Sequence, residues 1–267
     1  MQIALISSEA DPASLTIRRH LEENISFRDA GEQWYSHPVL VGTLGSHDCT
    51  LFTQDLHTVH FKGGIDADLI LFLSTHTSKK GVPTLSAHAP GNWGPADLGG
   101  EPRQLSMAAP AFMKAYLSSL EDRAPPGYDV VQEVTHHGPL CMTPCAFVEI
   151  GSGPGQWNDP AAGKAVAEAL VETLSHPLKE CPSAVGIGGL HTCDSFRKTV
   201  KEQDIALGHA CPKYALPSLG SEMLQQAIER TQPEASRILV AWKGLGKEKE
   251  RIARIIDEAG LPVTKVK

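Results

Sequence analysis

Residues 69–73 read Leu-Ile-Leu-Phe-Leu, apolar without a break. The run is too short for an amphipathic helix and lacks the polar alternates of a strand with one face in water. It reads as a strand buried on both faces, which requires a mainly parallel sheet covered by helices. Related runs recur at 146–150, 184–187 and 237–242, with shorter candidates at 205–209 and 262–266. Helical patterns lie between them at 106–120, 160–174, 218–230 and 247–259. The chain opens with an apolar run at 2–6, and Asp11-Pro12 then supplies an N-cap and first-turn proline for a helix. Residues 37–61 are β-rich, with Gly42, Gly45 and Asp48 as turns. Alternating strands and helices predict an α/β/α sandwich around a mainly parallel, mixed sheet.

A length of 267 residues, 41% hydrophobic and 21% charged, suits one α/β domain over residues 1–267. Residues 74–103, rich in Gly, Pro and Ser, are too long for an ordinary connection and predict a functional loop. With no charged-then-apolar leader and no bilayer-length apolar run, the expectation is a cytoplasmic protein without a membrane partner, monomeric or a small homo-oligomer. Six cysteines without a C-x-x-C pair are expected to be reduced and mostly buried. The net charge of −7 argues against a general nucleic-acid binder, DNA included. An RNA substrate would need local positive charge, and the candidates are Lys79-Lys80, Arg197-Lys198 with Lys201, and the patch from Lys243 to Arg254.

The chemistry gathers at strand ends, where open α/β sheets bind ligands. The run from Asp129 ends in His136-His137 and breaks at Gly138-Pro139. Neighbours on a strand point to opposite faces, so both imidazoles meet one ligand only if the chain turns there; the favoured expectation is that one faces the site and the other packs. The loop after Leu73 offers Ser74, His76, Ser78, Lys79 and Lys80, then His88 and Asn92. These can bind metal, move protons or hold a carbonyl or phosphate. Glu149 is a carboxylate in an apolar strand, costly unless paired, although it can also alternate outward on an edge. Gly188-Gly189 allow close backbone approach and lead to His191. The chain has neither a G-x-S-x-G elbow nor an H-E-x-x-H helix, which removes the usual support for a serine hydrolase or a zincin.

The order of these segments resembles the archaeal and plant type of D-aminoacyl-tRNA deacylase. The matching stretches are 3–14, 74–78, 85–92, 133–139, 147–152 with Trp157, 186–191 and 208–214. The resemblance implies a core similar to nucleoside phosphorylases and peptidyl-tRNA hydrolase. It implies hydrolysis of the ester joining a D-amino acid to the tRNA acceptor end, with Zn²⁺. Carried onto this sequence, His88, His191, Glu149 and His136 are the expected metal ligands, and His136, His137 and Glu149 the expected catalytic groups. Ser74, His76, Ser78, Lys79, Lys80, Asn92, Gly188 and Gly189 are the expected substrate contacts, with chirality read by backbone at 138–139 or 188–189. Two other readings compete: a zinc-dependent small-molecule hydrolase or nucleoside-phosphorylase-like enzyme on the same core, and a tRNA-end binding module without catalysis.

Overall fold

The computed structural model describes residues 1–266. The chain forms two compact units, each assembled from three separate segments. The first comprises Met1–Ala87, Ala115–Val131 and Cys145–Leu178; the second comprises His88–Lys114, Gln132–Pro144 and Lys179–Lys267.

The first unit is built on a mixed sheet. Its strands are β1 (Gln2–Ser8), β2 (Arg28–Trp34), β3 (His37–Leu44), β4 (His47–Gln54), β5 (Leu69–Thr77), β6 (Thr84–His88), β7 (Asp129–Gln132) and β8 (Cys145–Ser152). Their order is β2-β3-β4-β1-β5-β8-β6-β7. The centre is parallel, with β1 between β4 and β5, and β5 beside β8. The β2-β3-β4 edge is antiparallel. Helices α1 (Pro12–Asn24), α2 (Pro110–Glu121), α3 (Pro154–Trp157) and α4 (Pro160–Leu174) accompany it, and α1 packs on α4, β1 and β5. The start of α1 follows the sequence signal: Asp11 accepts from Ser14 N at 3.0 Å, and Pro12 opens the first turn.

The second unit contains a four-stranded sheet in the order β10-β9-β11-β12. Here β9 is Ser183–Ile187, β10 Ala206–Cys211, β11 Arg237–Ala241 and β12 Val263–Val266, all pairs being parallel. Its helices are α5 (Asp194–Glu202), α6 (Ser221–Glu229) and α7 (Lys249–Ala259). Alternate strand residues feed two cores: Val185, Ile238 and Val240 pack with α6 and α7, while Ala184, Leu239 and Ala241 pack with Phe196 of α5. Both faces of β9 and β11 are therefore buried, which is why 184–187 and 238–241 carry no polar side chain.

The α/β class and the mostly parallel strands agree with the sequence, and the strands divide between two sheets. Residues 74–77 are strand, as are 84–88, so the irregular stretches are shorter than the 74–103 loop predicted. Strand β2 and helix α5 have no counterpart in the sequence reading. Helix α2 starts at Pro110 rather than residue 106, because Met107 and Ala108 donate to the carbonyls of Cys141 and Arg230 (2.8 Å each) instead of entering a helix. All six cysteines are free and buried. No helix among the described residues is long and apolar enough to cross a membrane.

Candidate functional site

His88, the last residue of β6 and the first of the second unit, is joined in that unit by His136 and His137 from the chain after β7. His137 adopts φ 41°. That left-handed turn ends the strand alternation and brings both imidazoles to His88. The ring centroids are 4.1 Å (His88–His136), 4.8 Å (His88–His137) and 4.4 Å (His136–His137) apart. One ring nitrogen from each of the three lies within 4.8 Å of the others. The favoured expectation of one site-facing and one packed imidazole is thus corrected: the backbone turns at His137, and both rings face the same place.

The hydrogen bonds set the tautomers. Nδ1 faces a backbone carbonyl in each ring: Ala89 O from His88 (3.2 Å), Val134 O from His136 (2.9 Å) and Gly138 O from His137 (2.7 Å). A carbonyl only accepts, so Nδ1 carries the proton and each Nε2 carries a lone pair. Burial, followed by the neighbouring His88 and His137 rings, holds His136 well below its ordinary range. Burial, then His88, depresses His137 to about 3. Neutral imidazoles with oriented lone pairs are the form a metal takes.

Beside this cluster stands a carboxylate–imidazole pair. Glu133, fully buried, accepts from His191 Nε2 at 2.8 Å and lies 3.8 Å from His136. The Tyr214 hydroxyl lies 3.3 Å from His191 Nδ1. Burial holds Tyr214 up at about 12, so its hydroxyl stays protonated at neutral pH. A cavity of about 410 Å³ is lined by residues including Trp93, Leu98, Thr135, His136, His137 and Tyr214.

In the first unit, Glu149 on β8 sits opposite Ser74 on β5, 3.8 Å from His76 Nδ1. Trp157 Nε1 donates to His76 O at 2.9 Å. A Cβ on Gly151 would come within 2.6 Å of the His76 ring, so glycine there admits the imidazole. Asp11 accepts from Ser74 Oγ at 3.2 Å, and Ser78 Oγ from Lys80 N at 3.3 Å.

The profile of the D-aminoacyl-tRNA deacylase family matches residues 63–264. A D-aminoacyl-tRNA deacylase of Thermococcus kodakarensis is 35% identical, over 96% of this chain and 97% of its own length. One from Methanoculleus marisnigri is 38% identical over 98% of this chain and 58% of its own length. This chain belongs to the D-aminoacyl-tRNA deacylase family. Among solved structures, the crystal structure of a conserved protein of unknown function superposes on it with a TM-score of 0.87 at 28% identity, covering 99% of this chain and 95% of the other.

Of the residues carried over from that deacylase family, His88, His136 and His137 come together in the second unit, and His191 stands there with Glu133. Glu149, Ser74 and His76 meet in the first unit. Asn92 is buried, and its side-chain nitrogen is committed to Gly99 O at 2.9 Å, which makes it an anchor for the 94–103 loop. Gly188 and Gly189 have φ 89° and 86°, conformations open to glycine at low cost. Lys79 and Lys80 are exposed in the first unit. Glu133 and Tyr214 were not among the sequence candidates. The signal for Glu133 was a carboxylate three positions before His136 at a strand exit. His209, which repeats the small-residue-then-histidine form, is wholly buried; its Nε2 donates to Ser106 O at 2.9 Å, and Nδ1 meets Thr135 Oγ1 at 3.0 Å.

Proposed function

We propose that this chain hydrolyses the ester between a D-amino acid and the 3′ end of tRNA, with a zinc ion held by His88, His136 and His137. The relatives carry the activity in their names. The observation that carries the proposal here is the convergence of three imidazoles, each with Nδ1 tied to a carbonyl and a lone pair on Nε2, beside the Glu133–His191 pair. Three neutral nitrogens suit a catalytic zinc site that leaves one position open. When bound, the ion polarises the ester carbonyl and makes water acidic enough to ionise near neutral pH.

The remaining work falls to the chain. His191 Nε2 is committed to Glu133, so Nδ1 carries the lone pair and takes the proton from the attacking water. Glu133 stabilises the imidazolium that forms, and its buried charge holds the ring in that tautomer. The proton then passes to the departing 3′ oxygen as the C–O bond breaks. The cavity beside His136 and His137 takes the aminoacyl group, and its backbone wall reads the configuration by shape. A tRNA substrate fits a cytoplasmic location.

Deacylation of a D-aminoacyl-tRNA beside its L-counterpart, with metal supplied and with chelator, tests the proposal. The D-ester should be released selectively and only with metal. Equal rates on the two, or full turnover in protein shown to be metal-free, would remove it.

A further inference from the structure

Leu190 precedes His191 in sequence, Tyr214 adjoins it in space, and each is 61% exposed. Three stretches of the second unit meet here. Lys213 N donates to Gly189 O at 3.0 Å. A Cβ on Gly244 would fall 2.9 Å from Gly189 N. The Tyr214 hydroxyl reaches His191 Nδ1. The two stretches closing on Gly189 carry Lys213, Lys243 and Lys247, all exposed and without an acidic partner among the described residues. Glu248, the nearest acid in sequence to Lys247, is taken by Arg251 at 2.8 Å. By contrast Lys198, in the patch after His191, pairs with Glu202 at 3.7 Å. Lys249 and Lys265 lie over the Trp242 ring, at 5.2 and 4.3 Å, which occupies that aromatic.

We infer that the single-stranded 3′ end of an RNA lies across this surface, with a terminal base stacked on Tyr214 and its phosphates held by Lys213, Lys243 and Lys247. The inference rests on the tRNA reading above and assigns its binding surface. An exposed aromatic between unpaired cations is how single strands are held, because every base offers a face and every nucleotide a charge. In a chain of net charge −7, uncompensated lysines next to the site are where a polyanion meets least repulsion.

The test is binding of an unacylated, dye-labelled acceptor-stem minihelix, with and without a single-stranded 3′ tail, over a range of salt. A Lys213→Gln, Lys243→Gln, Lys247→Gln variant should bind roughly tenfold or more weakly at low salt, with a log–log salt slope shallower by about two. Tyr214→Ala should weaken the tailed RNA by about 5- to 150-fold and leave the blunt one unchanged, while Tyr214→Phe keeps tailed binding. Unchanged affinity and slope in the triple variant would overturn the inference. So would an equal effect of Tyr214→Ala on both RNAs, or the whole loss appearing in Lys79→Gln, Lys80→Gln instead. Deacylation by the wild type, measured on the same preparation, separates the two claims. Binding lost in the variants alongside an inactive wild type supports the surface and removes the hydrolytic reading. An active wild type with unaltered variant binding does the reverse.

Discussion

At the scale of the residue, Glu133 and His209 show what the same physics does in two settings. Glu133 is a buried carboxylate that accepts from His191 Nε2 at 2.8 Å. Glu133→Gln keeps the shape and removes the charge, so the imidazolium loses its support. We expect kcat to fall by about 10²–10⁴, with KM little changed and with no further loss when His191→Ala is added, because the pair acts as a unit. Single-turnover deacylation of the single and double variants measures this; additive losses would show that the two act separately. His209 is structural, and burial depresses it from 6.5 to about 4. Below about pH 6.5 the unfolded chain takes a proton that the folded chain refuses until about 4. Stability therefore falls as pH drops through that window, at up to about 1.4 kcal/mol per unit and on the order of 3 kcal/mol in all. Urea unfolding at a series of pH values should show a smaller slope in His209→Gln. An identical slope would mean that another group carries the acid sensitivity. Which histidines gather in the candidate site and which one packs was half legible: His136-His137 at a strand exit were visible. Glu133, in a strand-like run, reads equally well as a solvent-facing alternate.

At the scale of the element, the turn at 136–139 and the 94–103 loop are one construction. Arg103 N closes the loop onto Gly94 O at 2.8 Å, and Gly138 N donates to Leu98 O at 2.9 Å. A Cβ on Gly138 would collide with the backbone of Gly99 and Gly100. Backbone cannot yield as a flexible side chain does, so Gly138→Ala must displace either the loop or the histidines. The expected outcome is a destabilisation of about 1–3 kcal/mol together with weaker zinc binding by calorimetry. A variant that loses stability but binds zinc as tightly as the wild type would uncouple the turn from the cluster. The Gly/Pro-rich composition of 74–103 announced an irregular segment, and 94–103 is one. That 74–77 and 84–88 join strands was not legible, because their partners on the mixed sheet lie far away in sequence. Helix α2 shows the converse: residues 106–109 fit a helical pattern, but tertiary hydrogen bonds claim their backbone first.

At the scale of the whole molecule, metal is predicted to couple activity to stability. Zinc that binds only the folded chain adds about 2.7 kcal/mol at a hundredfold excess over its Kd. Scanning calorimetry with zinc and with chelator should therefore show a rise in Tm that disappears in His88→Ala; the same Tm in both conditions would place no ion on the native state. Composition and periodicity by themselves determined that the chain is α/β, where most strands and helices lie, and that histidines crowd the strand exits. Those properties are written over a few residues at a time, in side-chain alternation, proline and glycine. Only the tertiary structure decided that the strands divide between two sheets. It also decided that His136 and His137 turn to the same side, and that Glu133 is the carboxylate paired with His191. Each of these depends on backbone from distant segments arriving at one place, and on a left-handed turn at His137 that no local pattern of side chains requires.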